Sequence, residues 1–354
     1  MNKRILIIGA GFSGVTVARI LAENGFLITV IDKRDHVAGN AYDYTNNKGI
    51  RVHKYGPHIF HTNNKKVFDW LSNFTTWLPY KHRVKALLKD GTEVVLPPNR
   101  ETAEIIGTEN IIDTLFRPYT KKMWGLEIEE LDPGIINRVP IRDDDNVYYF
   151  PNDLYQGLPV DGYTKVIENI LDHENISVNL NTVFSKSMEH EFFHVFNSMP
   201  IDEYYDFEFG ELPYRSLKFH HQNVEVPKLL SVPTLNFTHD GKFTRVTEWK
   251  NYPGHGSNEF STSITFEEPC DYKDNNYERY YPVKDIAGEN RQIYKRYRNI
   301  SNEKMTFIGR CGMYVYVDMH QAVNSAMQVA NTFLNQVADN FTYEEKGNNL
   351  DDRI

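Results

Sequence analysis

Cysteine is scarce in this sequence of 354 residues. The two cysteines, Cys270 and Cys311, form no CxxC pair, and neither has a histidine at metal-ligand spacing. This scarcity excludes a disulfide framework and argues against a structural zinc site. We therefore expect a protein without a bound metal that works in a reducing compartment, the cytoplasm.

Long hydrophobic runs are also lacking. Glycine interrupts the apolar stretch at the N-terminus after about five residues, and no later run approaches the roughly 18 residues of a membrane span. We expect neither a signal peptide nor stable membrane insertion.

Positive charge is in deficit, with 39 lysines and arginines against 48 aspartates and glutamates and a net charge of −9. The basic residues are also dispersed, which is unfavourable for binding nucleic acid. An anionic substrate would therefore have to be bound by a few well-placed cations.

The N-terminal segment has the pattern of a β-α-β unit. Arg4–Ile8 is a β-prone run, Phe12–Glu23 has helical periodicity, and residues 26–31 are apolar and β-branched. Asp32 follows the second predicted strand, where it can accept hydrogen bonds from a ribose diol.

A GxGxxG motif joins the first strand to the helix through Gly9, Gly11 and Gly14. The first glycine allows a tight turn, the second lets the backbone approach a pyrophosphate, and the third packs the helix on the strand. Free N–H groups at the helix N-terminus then face the anion. Together with the acidic residue, this motif predicts dinucleotide binding, by either FAD or NAD.

Two further segments favour FAD. Residues 34–40 resemble the segment that continues along the flavin in two-dinucleotide-binding-domain flavoproteins, and residues 307–310 lead from a predicted strand towards the last helix as in those proteins. A nicotinamide enzyme does not need the second segment. The candidate cofactor-binding residues are Gly9, Gly11, Phe12, Ser13, Gly14, Asp32, Lys33, Asn40, His58, Arg310, Asp318 and Met319.

The rest of the chain contains no internal repeat or low-complexity linker, so we expect interleaved domains. The predicted fold class is α/β: an FAD-binding Rossmann-like domain with an inserted helical domain and a mixed or antiparallel β-sheet domain. The FAD-binding domain is predicted to comprise residues 1–75, about 160–200 and 300–354. The mostly helical insertion is predicted at about 76–145, with a strand-like interval at 83–96, and the sheet domain at about 205–290.

Several separated motifs resemble those of the UDP-galactopyranose mutase family. They are residues 55–62 (YGPHIFHT), 118–125 (PYTKKMWG), 243–248 (FTRVTE), 280–282 (YYP) and 314–319 (YVYVDM). The matches extend in order over nearly the whole chain. The resemblance implies a redox-neutral ring contraction of a nucleotide sugar from pyranose to furanose, in which N5 of reduced FAD attacks the anomeric carbon. It also implies a homodimer.

The resemblance further implies roles for individual residues. Arg138 and Arg245 correspond to the arginines that hold the diphosphate, and His61 to the histidine near the reactive edge of the flavin; these three are the candidate catalytic residues. Residues 130–142 resemble the mobile lid that closes over the substrate. The candidate substrate-binding residues are Tyr119 under the nucleobase, Trp124 of the mobile loop, Tyr281 and Tyr316 at the diphosphate, one of Tyr148 and Tyr149 at a phosphate, and also Asn236 and His82.

The sequence departs from the family pattern where the sugar is expected. His82 replaces the usual asparagine, residues 96–100 differ from the usual segment, and the interval 146–155 is longer. We therefore expect the reaction to be retained and leave the substrate open among UDP-galactose, dTDP-fucose, UDP-N-acetylgalactosamine and a GDP-linked heptose. Two alternatives come from other classes: an FAD-dependent oxidoreductase of the amine-oxidase type and a non-catalytic FAD-binding protein.

Overall fold

The structure is a computed structural model and describes residues 4–131, 140–300 and 302–351, with side chains up to residue 338. Arg138 and most of the predicted lid at 130–142 lie outside these residues. The described strands are β1 Arg4–Ile8, β2 Leu27–Ile31, β3 Asp43–Thr45, β4 Arg51–His53, β5 Phe60–Thr62, β6 Trp77–Pro79, β7 Val84–Leu87, β8 Glu93–Leu96, β9 Tyr155–Pro159, β10 Ile176–Asn179, β11 His194–Asn197, β12 Tyr214–Val224, β13 Thr234–Phe237, β14 Arg245–Glu248, β15 Thr262–Asp271, β16 Tyr281–Pro282 and β17 Met305–Phe307. The described α-helices are α1 Phe12–Glu23, α2 Lys65–Leu71, α3 Arg100–Ile106, α4 Arg117–Trp124, α5 Tyr163–Leu171, α6 Ile201–Tyr204, α7 Glu289–Arg298, α8 Gly309–Gly312 and α9 Met319–Asp351.

A five-stranded parallel sheet has the strand order β10-β2-β1-β11-β17. Its central strand β1 is a continuous apolar run, as expected for a strand covered on both faces. Ile5 and Ile7 are fully buried in a core that also contains Val15 and Leu21 of α1 and Val323 of α9. The β-α-β unit predicted from the N-terminal sequence is therefore present.

A seven-stranded sheet has the order β16-β12-β15-β14-β13-β7-β8. The hairpin β7-β8 confirms the strand-like interval predicted at 83–96. Its first strand pairs in parallel with β13, whereas the other pairs of this sheet are antiparallel. The sheet is therefore mixed and is assembled from two distant segments of the chain.

Two small antiparallel sheets, β3-β4 and β5-β9-β6, lie outside the two large ones. Helix α4 has Pro118 in its first turn and ends at Gly125, which has a φ of +68°. Within the part of the chain that the structure describes, no helix combines the length and apolar character needed to cross a bilayer.

Candidate functional site

A cavity of about 620 Å³ lies between the two large sheets. One wall is formed where the strands of the parallel sheet end, after Ile8, Ile31 and Asn197, and the opposite wall by β7, β13 and β14 of the mixed sheet. Ligands of open α/β sheets bind at the carboxyl ends of the strands. All twelve candidate cofactor-binding residues line this cavity.

The glycine motif forms the turn from β1 into α1. Gly9 has a φ of +102°, and a Cβ atom there would lie 2.0 Å from Ser198 Oγ. A Cβ atom on Gly14 would lie 2.0 Å from the Gly9 carbonyl oxygen, so both positions require glycine for packing. A Cβ atom on Gly11 would meet only the Gly39 Cα, at 3.8 Å. The turn is therefore tight on the protein side and open on the cavity side, which fits a bound pyrophosphate.

Asp32 stands at the end of β2 and is 9% exposed. Its Oδ2 accepts a hydrogen bond from the Ala10 N–H at 2.8 Å, and its Oδ1 accepts one from the Arg34 N–H at 2.9 Å. These bonds fix the carboxylate at the cavity wall, and each oxygen retains a second lone pair. The geometry fits the recognition of a ribose diol.

Arg34 was not identified from the sequence. Its Nη2 lies 2.6 Å from Glu278 Oε2, its Nη1 donates to Asn40 Oδ1 at 3.0 Å, and its guanidinium covers the Tyr55 ring at 4.5 Å. The side chain thus ties the segment after β2 to the segment before β16. No local signal distinguishes it, because Glu278 is far away in the sequence.

Arg245 on β14 lines the cavity, and Glu267 on β15 lies directly opposite in the strand register. The Arg245 Nε and Glu267 Oε2 atoms are 2.8 Å apart, and Glu267 is 1% exposed. Burial lowers the pKa of Arg245, but Glu267 and then Tyr119 and Tyr281 outweigh it and hold this pKa well above its usual value. The cavity therefore contains a permanently charged guanidinium that a buried carboxylate orients.

Two stacked tyrosine rings line the same cavity as this arginine. Tyr281 and Tyr316 stack with their ring centroids 5.6 Å apart, and Arg310 covers the Tyr316 ring at 4.8 Å. Burial raises the pKa of Tyr281, so its hydroxyl is a proton donor at neutral pH. Both tyrosines line the cavity. Trp124 does not; it packs against Tyr281 at a centroid distance of 6.2 Å.

Lys122 ties α4 to the hairpin β13-β14. Its Nζ donates to the carbonyl oxygens of Phe237, His239 and Phe243 at 2.8, 2.9 and 3.0 Å. Burial lowers the pKa of Lys122 to about 8. Because α4 contains Tyr119, this link fixes the tyrosine relative to the strand that bears the arginine.

His61 on β5 stacks on Phe150 with the ring centroids 3.5 Å apart. Its Nδ1 lies 2.6 Å from Asp153 Oδ2, a contact that orients the imidazole. Asp153 was not identified from the sequence, because the pairing of β5 with β9 brings this distant residue to the histidine.

The remaining substrate-binding candidates separate into two groups. His82, Tyr149 and Asn236 line the cavity. Tyr148 does not; Lys81 Nζ lies over its ring, 5.4 Å from the ring centroid. Of the two tyrosines between which the sequence left the choice open, the structure brings Tyr149 to the cavity. In the described ranges, no group of three or more potential metal-ligating side chains occurs.

The fold and the glycine turn define a protein with a Rossmann-like dinucleotide-binding domain, and the family model of the NAD(P)-binding Rossmann-like domain matches residues 7–74. The family model of UDP-galactopyranose mutase matches residues 114–316. A probable UDP-galactopyranose mutase of Klebsiella pneumoniae is 35% identical over 96% of both chains. A dTDP-fucopyranose mutase of Escherichia coli is also 35% identical, over 94% of this chain and 99% of its own. The chain belongs to the UDP-galactopyranose mutase family.

A solved structure agrees with this assignment at the level of the fold. The crystal structure of a reduced UDP-galactopyranose mutase has a TM-score of 0.70 and 17% identity, with 94% of each chain covered. A putrescine oxidase structure has a lower TM-score of 0.55 at 12% identity, so the fold is shared with oxidases. The family, the α/β fold class and the isomerase class that the sequence predicts are confirmed.

Proposed function

We propose that this protein interconverts the pyranose and furanose forms of a nucleoside diphosphate hexose with FAD in its reduced state. The observation that carries the proposal is that one cavity joins a dinucleotide-binding turn to an oriented guanidinium. When bound, reduced FAD would supply the nucleophile for the anomeric carbon. The residues around the glycine turn and Asp32 fit the pyrophosphate and ribose of that cofactor.

The side chains of this protein would bind and stabilise the departing diphosphate. Arg245 offers a planar set of N–H donors to phosphate oxygens, and its charge stabilises the negative charge that grows as the diphosphate leaves. The hydroxyls of Tyr281 and Tyr316 lie at the same wall. The assignment of Arg138 as a second diphosphate ligand rests on the sequence resemblance alone. The assignment of residues 130–142 as a lid also rests on the resemblance alone; such a lid would exclude water from the reacting sugar.

His61 and Asp153 support the flavin-side wall. The carboxylate fixes the orientation of the imidazole, and Phe150 covers one face of the ring. We propose that His61 fits this wall to the redox state of the bound flavin.

The test is anaerobic incubation of the dithionite-reduced protein with UDP-galactose, dTDP-fucose, UDP-N-acetylgalactosamine and a GDP-heptose, with separation of pyranose and furanose products. Conversion of one compound by the reduced protein, and not by the oxidised protein, would establish the reaction and its substrate. Oxygen consumption in proportion to product would instead indicate an oxidase. Bound, reducible FAD without conversion of any compound would contradict the proposed function.

We further propose that the protein is a cytoplasmic homodimer that supplies a furanose donor for cell-surface polysaccharide synthesis. The division of the chain into an FAD-binding domain, an insertion and a sheet domain is a proposal that the two large sheets support. Light scattering on the purified protein would measure the number of subunits directly.

A further inference from the structure

His82 presents an unpartnered imidazole nitrogen in the cavity. The side chain is 4% exposed, and it lines the cavity wall. Its Nδ1 lies 3.0 Å from the Tyr80 hydroxyl. Among the described residues, Nε2 has no hydrogen-bond partner, and this atom is not fully buried. A polar atom that lines a binding cavity and has no protein partner is available to bind a ligand atom.

The contact with the Tyr80 hydroxyl favours one tautomer of His82. Burial raises the pKa of Tyr80 well above its usual value. The hydroxyl therefore keeps its proton at neutral pH and can donate it to His82 Nδ1. An imidazole that accepts at Nδ1 carries its proton on Nε2.

His82 lines the same cavity as Arg245 and His61. Burial, and then the nearby charges of Arg245 and His61, lower the pKa of His82 to about 3. His82 is thus close both to the proposed diphosphate ligand and to the proposed flavin-edge histidine. It also packs within 5.9 Å of Tyr149 and 6.4 Å of Phe150, measured between ring centroids.

We infer that His82 is a specificity-determining residue for the hexose, and that Tyr80 is a positioning residue that holds the His82 proton on Nε2, where it donates to one hydroxyl oxygen of the sugar. The inference rests on the proposed function, since it assumes a nucleotide sugar in the cavity. It extends the proposed function by assigning recognition of the sugar to one neutral N–H donor, that of His82. A site built to hydrogen-bond a hydroxyl discriminates strongly against the deoxy analogue.

The test combines variants with deoxy sugars and measures binding by calorimetry, so that it does not depend on turnover. The ligands are UDP-galactose and dTDP-galactose with their 2-, 3- and 6-deoxy analogues. The variants are His82→Phe, which removes the donor, His82→Asn, which keeps an N–H donor, and Tyr80→Phe, which removes the hydroxyl without altering the cavity wall. Tyr44→Phe is the matched control, because Tyr44 is a partly buried tyrosine that does not line the cavity.

We expect the wild type to bind one deoxy analogue about tenfold more weakly than the parent sugar. His82→Phe should abolish this difference, Tyr80→Phe should reduce it, and His82→Asn and Tyr44→Phe should retain it. Nitrogen-15 NMR should show His82 protonated on Nε2 in the wild type and as a mixture of tautomers in Tyr80→Phe. This last result separates positioning from a general loss of structure.

Equal discrimination by the wild type and His82→Phe for every analogue would overturn the inference, as would an Nδ1–H tautomer in the wild type. These failures are distinct from failure of the proposed function. If the wild type binds the sugars but forms no furanose, the proposed reaction is wrong, while the binding differences still decide the role of His82.

Discussion

Replacement of Arg245 by methionine should destabilise the protein in a strongly pH-dependent way. The variant leaves Glu267, which is 1% exposed, without its cationic partner at 2.8 Å. Burial already raises the pKa of Glu267 and Arg245 opposes this effect, so the variant should raise the pKa further. The folded variant is then most stable when this carboxyl group is protonated.

The loss in the free energy of unfolding cannot exceed the free energy needed to protonate this carboxyl group. Its unperturbed pKa is 4.5, so keeping it protonated at pH 7 costs about 3.4 kcal/mol, at about 1.36 kcal/mol for each pH unit. The folded-state pKa lies above the unfolded value. The stability of the variant is therefore greatest below pH 4.5 and falls as the pH rises towards the folded-state pKa. We expect a loss of about 3 kcal/mol at pH 7 and under about 1 kcal/mol at pH 5.

The double variant Arg245→Met with Glu267→Gln separates stability from function. It removes the buried charge, so we expect it to recover most of the lost free energy of unfolding and to lose the extra pH dependence. Turnover should remain at least about 100-fold below the wild type in both variants, because neither can stabilise the departing diphosphate. Urea unfolding at pH 5, 6 and 7 and the reduced-protein conversion assay measure the two effects. A single variant whose stability follows the wild-type pH profile would refute the assigned ion pair.

Three other positions give testable expectations. Lys122→Met should retain FAD but weaken nucleotide binding about tenfold, because three carbonyl oxygens lose a charged donor. Calorimetry with UDP measures this affinity. An unchanged affinity would contradict the proposed positioning of α4 by Lys122. Gly11→Ala should fold normally yet lose FAD, whereas Gly14→Ala should unfold more easily, since its Cβ would lie 2.0 Å from the Gly9 carbonyl oxygen. Flavin absorbance and urea unfolding distinguish these outcomes, and equal behaviour of the two glycine variants would show that Gly11 has no ligand role.

The parts of the site that could be predicted from the sequence are those encoded locally. The glycine turn is one such part, because Gly14 packs on the Gly9 carbonyl oxygen within a single β-α unit. Asp32 follows from the end of the next strand. In both cases the spacing along the chain fixes the geometry before any distant contact forms.

The partner residues that could not be predicted from the sequence depend on strand register and on contacts between distant segments of the chain. Glu267 looks like an ordinary polar residue of an alternating strand, and only the pairing of β14 with β15 places it opposite Arg245. Asp153 reaches His61 in the same way, through the pairing of β5 with β9. A shift of one residue in the register would move Glu267 to the opposite face, and Asp153 lies just before β9, so both partners need the three-dimensional structure.

The mixed sheet also has a consequence for how the chain folds. Its strands β7 and β8 belong to one segment and β12 to β16 to another, and Val84 pairs with Thr234 in parallel. The parallel sheet in turn joins β1 near the N-terminus to β11 and β17. Contacts between residues so distant in sequence require large loops to close, which slows folding and makes it depend on the whole chain. Neither wall of the cavity can therefore form from one contiguous fragment, and a growing polypeptide acquires its binding site only after nearly all of it has been synthesised.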